Sequence, residues 1–483
     1  MTVRLELLPA DAVGRLIEEA LLALERVGVR VENREATELL LAAGATERQE
    51  RIHIPERLVR SALATAPPRF TLHDRAGAAA VELGIGRTSF DPGSAAIYRI
   101  DGPLGAPGHR RAATTADVVE LVRRVDALPH FAAQSTALVP GDVPHEIADR
   151  WRLLLALENG RKPIVTGTFA KDGFAPMLAL LAAVRGGQAA LRERPLALFD
   201  CCPTSPLTWS DLTSSALVDA ARAGVPANLV AVPMTGATAP VALHGALVQL
   251  AAENLAGVAL HQSAAPGAPL VWGGAPSAFD MRHGTAAMGA IESAMLNVAN
   301  AQIGRALGLP THGYLGLSDA KSADYQAGME SASGALLGAL AGIDLVSGPG
   351  LLDYLLSQSF EKLLLDHEAC AAAARCARGI ALADGGTVEL LGELARSGEL
   401  LSHPHTRRHW KDELSVVSSL LDRRSYGDWE VAGALTAADR ARAELDRRAP
   451  AAAPALEEGL ARELRAIVAA DAARHGIDAL PLA

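Results

Sequence analysis

A chain of 483 residues, of which 49% are apolar and 21% are charged, has the composition of a globular protein with a large core. Its formal net charge of -10 argues against nucleic acid as a partner, because phosphate binding needs clustered basic side chains. No uninterrupted apolar run reaches the ~20 residues that a bilayer crossing needs, so we expect no membrane partner.

Residues 1–85 are predicted to form a helical extension that begins with a long amphipathic helix. This first segment, MTVRLELLPADAVGRLIEEALLALERVGV, has acids on its polar face and lacks the basic end and cleavage site of a signal peptide. Four cysteines in so long a chain make no disulfide framework. We therefore expect a cytoplasmic protein.

A repeating pattern runs from residue 86 to residue 352: a short apolar run ends in Gly, Pro, Ser, Thr or Asp, and a segment of helical periodicity follows. The first run, Arg87 to Asp101, is predicted to be a strand pair that turns at Asp91-Pro92-Gly93. Seven further runs lie near Phe131, Ile164, Leu196, Leu229, Leu270, Thr311 and Leu345. Eight strands that alternate with helices predict an α/β fold, the (β/α)8 TIM barrel. A doubly wound open sheet is the alternative, although no G-x-G-x-x-G follows a first strand.

Residues 353–483 are predicted to be helices, without strands, that pack outside the barrel. Within them His405, His409 and Glu413 have i, i+4, i+8 spacing, so they could share one helix face as zinc ligands do. The spacing lacks the H-E-x-x-H order and falls outside the barrel loops. A surface or packing role is the preferred interpretation, and no metal is expected.

The loops that follow the strands of a barrel form its active-site mouth. The predicted substrate-binding residues there are Phe90, Asp91, Trp272, Phe279, His283, His312, Tyr314 and Asp319, with Thr136, Thr168, Asp200, Met234 and Thr235 as further candidates. Aromatic rings suit a methylated cation, because a ring face attracts a quaternary ammonium that has no hydrogen bond to offer. Alternatively, Trp272 and Tyr314 are core residues, since aromatic side chains are bulky and usually buried.

His283 follows Asp280 and Arg282 at the predicted start of a helix. Backbone N–H groups at that position favour an anion, which would suit a substrate carboxylate. Alternatively, Asp280 pairs with Arg282 in a turn at the surface.

Asp319 is followed by three more charged residues, Lys321, Asp324 and Glu330. This group could form a network that orients a loop of the site. Alternatively, it caps the helix that is predicted to begin near Ser322.

Three blocks together resemble the trimethylamine:corrinoid methyltransferase family: WGGAPSAFDMRHGTAAMGAIE, GYLGLSDAKSADYQAGMES and LSHPHTRRHWKDELSVVSSLLDRRSYGDWEVAG. The resemblance covers the chain from the FDPGSAAIYRID segment to Gly433. It implies a (β/α)8 barrel that moves a methyl group from an amine to the cobalt of a separate corrinoid protein. Founding members that use trimethylamine carry pyrrolysine, whereas this chain has only standard residues. It therefore looks like the branch that demethylates quaternary amines such as glycine betaine.

The resemblance also implies the chemistry and the partners. A quaternary nitrogen leaves as a neutral tertiary amine, so no general acid and no protein nucleophile is expected. The absence of G-x-S-x-G, Walker and CxxC motifs agrees with this. We expect three partners: a corrinoid (cobalamin) protein, a small methylated amine, and further copies of this chain in a homo-oligomer. Two alternatives stay open, namely methyl transfer to another acceptor such as tetrahydrofolate, and a non-catalytic barrel that binds a methylated amine.

Overall fold

Eight parallel strands form a closed barrel in the computed structural model, which describes residues 4–93, 95–102, 110–382, 385–414, 417–447, 453–477 and 479–481. The strands are β1 (Ser89–Asp91), β2 (Gln134–Ser135), β3 (Ile164–Thr166), β4 (Ala197–Cys201), β5 (Ala227–Ala231), β6 (Leu270–Gly274), β7 (His312–Tyr314) and β8 (Leu345–Ser347). Parallel ladders join β2 to β6 in sequence, and join β7 to β8 and β8 to β1. A bridge between Trp272 and Thr311 and a 2.9 Å hydrogen bond from Ala132 N to Phe90 O close the ring. The predicted (β/α)8 barrel is confirmed.

Helices precede, connect and follow the strands. The N-terminal helices are α1 (Ala10–Arg26), α2 (Arg34–Ala42) and α3 (Glu56–Thr65). The helices between and after the barrel strands are α4 (Thr115–Ala127), α5 (Ala148–Asn159), α6 (Phe174–Arg185), α7 (Gln188–Glu193), α8 (Asp211–Ala223), α9 (Leu243–Ala264), α10 (Ile291–Ala306), α11 (Tyr325–Ala341) and α12 (Phe360–Ala377). The C-terminal helices are α13 (Thr387–Ser397), α14 (Pro404–Glu413), α15 (Tyr426–Val431), α16 (Ala437–Arg447) and α17 (Glu458–Arg474).

Side chains along each strand alternate between the barrel interior and the surrounding layer of helices. At the N-terminal end of the barrel the inward residues are apolar and form one buried cluster with a hairpin of Phe70–His73 and Ala79–Leu83. Its members from the strands and their approaches are Ala133, Val165, Leu198, Val271 and Leu345. Leu72 of the hairpin is fully buried in this cluster. The hairpin therefore closes this end of the barrel, and the polar interior lies toward the other end.

The N-terminal and C-terminal helices pack on the outside of the barrel helices. α1 and α3 contact α9, α16 contacts α12, and α17 contacts α5 and α6. Among the described residues, α9 alone has the length and hydropathy of a membrane-crossing helix, and 72% of its most apolar window is buried. Because α1, α3, α8 and α10 all pack against it, α9 is a helix of the protein core.

Three features differ from the sequence predictions. The N-terminal extension, predicted to be helical, also contains strands, among them the hairpin of Phe70–His73 and Ala79–Leu83 that closes the barrel. Tyr98–Ile100 does not pair with β1; it pairs in parallel with Ser357–Ser359 and antiparallel with Arg110–Ala112. The physical reason is that β8 and the segment leading into β2 already occupy the two edges of β1, so the chain beyond Asp91 leaves the ring. The strand at Ser357–Ser359 also means that strands continue past residue 352. The division into residues 1–85, 86–352 and 353–483 stays a prediction.

Candidate active site

Asp91, at the end of β1, begins a hydrogen-bonded chain of polar side chains in the barrel interior. Its Oδ2 accepts a 2.6 Å hydrogen bond from Ser347 Oγ, and its Oδ1 accepts one of 2.8 Å from Gly93 N. His312 Nε2 lies 2.9 Å from Ser347 Oγ. When Asp91 is ionised the Ser347 hydroxyl donates to it, and His312 Nε2 is then the donor to Ser347. His312 Nδ1 is then an acceptor, and it is buried without a partner.

A second pair of polar side chains lies on β4 and β5. Asn228 Nδ2 donates to Asp200 Oδ1 at 2.7 Å, and the Tyr314 hydroxyl lies 3.5 Å from Asp200 Oδ2. This orientation of the Asn228 amide leaves its Oδ1 buried without a partner. A second acceptor is therefore unsatisfied in the same interior.

Gly273 on β6 brings the two unsatisfied acceptors to one place. A Cβ at this position would lie 2.3 Å from Asn228 Oδ1 and 3.0 Å from His312 Nδ1. Both acceptors therefore lie against the same backbone, and they fit there because Gly273 has no side chain. Buried polar atoms in proteins are nearly always paired, so two neighbouring orphaned acceptors indicate a polar or cationic ligand.

Burial shifts the protonation of this interior. It raises the pKa of Asp91 to about 7, with a further contribution from the charge of Asp200, and it raises the pKa of Asp200 to about 7. It lowers the pKa of His312 to about 3, so this imidazole is neutral at physiological pH. A cation between the two carboxyl groups would favour their ionised forms. The interior is therefore acidic, rich in acceptors and suited to a positively charged ligand.

The C-terminal end of the barrel is the accessible side of this site. Asp91, Asn228 and His312 are fully buried, whereas Asp200 is half-buried. Thr168, in the loop after β3, is half-buried as well. A ligand can therefore reach Asp200 from the mouth of the barrel.

A comparison with protein-family models matches residues 2–476 to the model described as trimethylamine methyltransferase. The chain belongs to the trimethylamine methyltransferase family. Because the match spans nearly the whole chain, the methyltransferase activity of the family is assigned to it. The predicted family is confirmed.

Curated relatives of this methyltransferase align with most of its length. A trimethylamine methyltransferase, MttB, of Desulfitobacterium hafniense (strain DSM 10664 / DCB-2) is 31% identical over 94% of this chain and 91% of the relative. A glycine betaine methyltransferase of Desulfitobacterium hafniense (strain Y51) is 29% identical over 88% of each chain. The crystal structure of a monomethylamine methyltransferase, MtmB, of Methanosarcina barkeri has a TM-score of 0.52 at 12% identity, and the match covers 91% of this chain and 88% of that one. This structural likeness supports the fold.

Asp91, His312 and Tyr314 are the predicted binding residues that the methyltransferase brings together in its interior. Tyr314 contacts the His312 imidazole edge to face, with ring centroids 5.2 Å apart. The hydrogen bonds described above connect both residues to the acidic groups. Asp200, a further candidate from the sequence, belongs to the same site.

Trp272 and Phe90 lie elsewhere, on the outer face of the barrel. Trp272 Nε1 donates a 2.6 Å hydrogen bond to Asn300 Oδ1 on α10, and the indole packs where Gly304 of α10 leaves space. Phe90 precedes the inward Asp91 and is buried in the core between strands and helices. Strand alternation explains both placements, since the neighbours Gly273 and Asp91 take the inward positions. Trp272 and Phe90 are therefore core residues and do not line the site, and for Trp272 the alternative of a core residue is the one observed.

His283 lies in the exposed turn of a hairpin between the strands Ser277–Asp280 and Thr285–Ala287, and α10 begins only at Ile291. Asp280 Oδ2 accepts hydrogen bonds from Arg282 at 2.9 Å and lies 3.2 Å from His283 Nδ1. The surface-turn alternative is the one observed. His283 therefore does not lie at the start of α10, the helix N-terminus that was predicted to attract a carboxylate.

Asp319 lies on the rim, in the loop after β7, beside a cavity of about 600 Å³ that Asp280 and His283 also line. Burial raises its pKa to about 6. Glu330 holds this loop by accepting hydrogen bonds from Ser318 Oγ at 2.5 Å and from Asp319 N at 2.9 Å. Of the two roles predicted for this group of charged residues, Glu330 has the first, which is to orient a loop.

The other alternative, helix capping, is the observed role of Asp324, whose side chain caps α11.

Phe279, predicted as a binding residue, is half-buried on the rim hairpin. The region of the C-terminal histidines lies apart from the barrel interior, and His405 and His409 contact each other along α14 with tilted rings whose centroids are 4.6 Å apart.

The sequence analysis did not identify Asn228 and Ser347. Each is a polar residue at one end of an apolar run: NLV on β5 and LVS on β8. A single buried polar residue in such a run was a usable signal, because burial of a polar group without a partner is costly.

Proposed function

We propose that this methyltransferase moves a methyl group from a small quaternary amine, such as glycine betaine, to the cobalt(I) of a corrinoid carried by a separate protein. The observation that carries the proposal is the acidic interior in which Asp91, Asp200, Asn228 Oδ1 and His312 Nδ1 all offer acceptors. The N-methyl groups of a quaternary ammonium carry much of its positive charge, and oxygen atoms attract them through C–H···O contacts. The similarity to a glycine betaine methyltransferase over 88% of the chain supports the same substrate class.

The mouth of the barrel fits the approach of a corrinoid held by another protein. Thr168 and Asp200 are only half-buried at the C-terminal end, so the ammonium site is open to a reactive group that arrives from solvent. The docked corrinoid would supply the nucleophile for the methyl carbon. The residues of this chain would then hold the ammonium group, direct one methyl group to the mouth and exclude water. No residue needs to supply a proton, because the amine leaves in its neutral form.

The test is an anaerobic incubation of the purified protein with cob(I)alamin and, separately, glycine betaine, carnitine, proline betaine or choline. We expect one of these amines to lose a methyl group, detected as the demethylated amine by mass spectrometry. A matching reaction with tetrahydrofolate and no corrinoid should give no such product. If none of the four amines is demethylated with the corrinoid, the proposal fails.

We also propose a cytoplasmic homo-oligomer. All four cysteines are free thiols, which suits a reducing compartment. Large apolar side chains are exposed in the C-terminal region, among them Leu382, Val388, Leu401 and Val431. We assign these exposed side chains to contact with a second copy of this chain, which would cover them. Light scattering after gel filtration tests the assignment, and a monomer at all concentrations contradicts it.

A further inference from the structure

Two buried arginines on α5, Arg150 and Arg152, differ in their partners. Arg150 forms ion pairs with Asp149 at 3.0 Å, Asp172 at 2.9 Å and Asp471 at 2.6 Å. It is therefore fully neutralised, and it joins α5 to α17. This buried cluster of ion pairs explains the burial of the Arg150 charge, so Arg150 has a structural role and needs no ligand.

Arg152 is equally buried, at 1% relative exposure, but it forms no ion pair with any described carboxylate. Its Nη1 donates a 2.6 Å hydrogen bond to Thr136 O, and its Nε is buried without a partner. Burial lowers the pKa of this guanidinium to about 10. The charge of Asp149 acts on this guanidinium from beyond ion-pair distance, but no described carboxylate contacts it. Burial of a cation with an unpartnered N–H and no contacting carboxylate is costly, so its retention indicates that an anion binds there.

Arg152 lies at the mouth of the barrel. Thr136 follows β2, and the ring of Phe169, in the loop after β3, lies 4.2 Å from Arg152 Cζ. Phe169 is half-buried, and His145 stacks on it with ring centroids 5.7 Å apart. The guanidinium is thus held against one aromatic face at the C-terminal ends of two strands, where this fold binds its substrates.

Tyr314 connects this guanidinium to the acidic interior. Its hydroxyl lies 3.5 Å from Asp200 Oδ2, and its phenol is close enough to Arg152 to influence the guanidinium electrostatically. The mouth therefore has an acceptor-rich side that suits a cation and a donor side that suits an anion. A ligand with both charges would satisfy the two sides together.

We propose that Arg152 binds the carboxylate of an N-methylated amino acid whose ammonium group occupies the interior beside Asp91 and Asp200. The inference rests on the proposed function and adds its selectivity: the substrate is a zwitterion. The planar guanidinium matches the two oxygens of a carboxylate, and a hydrogen bond between charged groups is stronger than one between neutral groups. Amines without an acidic tail gain nothing from this subsite.

The test compares the binding of two cations by calorimetry at pH 8 in the full-length protein. Glycine betaine has the carboxylate and tetramethylammonium lacks it. We expect Arg152→Gln to weaken glycine betaine binding by about 10- to 100-fold and to change tetramethylammonium binding by less than about twofold. Arg152→Lys, which keeps the charge but loses the planar fork, should weaken glycine betaine binding by a smaller factor. If Arg152→Gln does not fold, Arg152→Lys serves as the test. A loss of glycine betaine binding without a matching loss of tetramethylammonium binding then supports the inference.

Arg161→Gln is the matched control, since Arg161 is an exposed arginine at the closed end of the barrel, away from the site, and pairs with Asp126 at 2.8 Å. It should change the binding of neither cation. Equal losses for both cations in the Arg152 variants, or no loss for either, overturn the inference while leaving the proposed function intact. Failure of the wild-type protein to demethylate any amine, by contrast, counts against the proposed function. Glycine betaine binding that depends on Arg152 would in that case still support the carboxylate subsite.

Discussion

Asp91 and Asp200 connect the protonation of single residues to the binding of a cation. Burial holds the pKa of each carboxyl group near 7, far above that of an exposed aspartate. In the folded protein both groups therefore bind protons that the unfolded chain has lost between about pH 4 and pH 7. Their contribution to the free energy of unfolding is thus present at low pH and is lost as the pH rises through 7. The affinity for a cation has the opposite dependence on pH: it increases as the pH rises, because binding requires ionised carboxylates.

We predict that the affinity for tetramethylammonium increases about tenfold from pH 6 to pH 8. Calorimetry at several pH values gives this dependence directly. The double variant Asp91→Asn, Asp200→Asn should bind weakly at every pH, since its amides do not titrate. An unchanged pH profile in that variant would mean that other groups govern the binding.

Trp272 is the residue for which sequence and structure differ most. Its indole is completely buried and donates to Asn300, so its removal affects the core and leaves the ligand contacts in place. We predict that Trp272→Phe lowers the free energy of unfolding by about 1–3 kcal/mol, because Asn300 Oδ1 loses its donor. Urea denaturation measures the loss. The folded variant should bind glycine betaine with wild-type affinity, and weaker binding would return Trp272 to the site.

At the scale of elements, β6 determines the shape of the interior through a residue without a side chain. Gly273 lies between the outward Trp272 and Gly274, and its Cα faces the two unpartnered acceptors. An added Cβ would also come within 2.8 Å of Leu229 O, which is backbone and cannot move aside. The strand therefore requires glycine for reasons of space.

We predict that Gly273→Ala lowers the free energy of unfolding by about 1–3 kcal/mol through overpacking and reduces the affinity for glycine betaine. Thermal denaturation and calorimetry measure the two effects. The control is Gly328→Ala on α11, where an added Cβ meets nothing within 4 Å. That control should leave binding unchanged and stabilise the helix by about 0.5–1 kcal/mol. Wild-type binding by Gly273→Ala would contradict a site at this position.

At the scale of the whole molecule, the barrel has one closed and one open end. The hairpin of Phe70–His73 and Ala79–Leu83 fills the N-terminal end with apolar side chains, and its backbone bonds to Pro195 and Arg161 at the starts of two strands. Ligands are thereby restricted to the C-terminal end, where the acidic interior and Arg152 lie. The N-terminal region thus contributes to the barrel core although it precedes the first barrel strand.

We predict that Leu72→Ala lowers the free energy of unfolding by about 2–5 kcal/mol, because it leaves a cavity in a fully buried cluster. Urea denaturation tests this prediction. The KM for glycine betaine should stay at the wild-type value, since Leu72 lies at the end of the barrel opposite the site. A changed KM with unchanged stability would argue against the hairpin as a closure of the barrel.

The number and order of the barrel strands could be predicted from the sequence alone, because each apolar run that ends in glycine or a polar residue reflects local burial and a local break. It also located Asp91, Asp200, His312 and Tyr314 at strand ends, since chain order determines which residues follow each strand. Local rules of this kind need no knowledge of distant contacts.

Which side chains enter the barrel depends on contacts between residues that are distant in sequence. Trp272 and Gly273 are adjacent in sequence, yet the pleat of β6 directs Trp272 to α10 and Gly273 to the barrel interior. Shifting the register by one residue would exchange them, and period-two alternation in runs that are buried on both faces does not reveal the register. The orphaned acceptors and the unpaired Arg152 likewise became visible only in three dimensions, because whether a polar atom has a partner depends on residues far away in the chain.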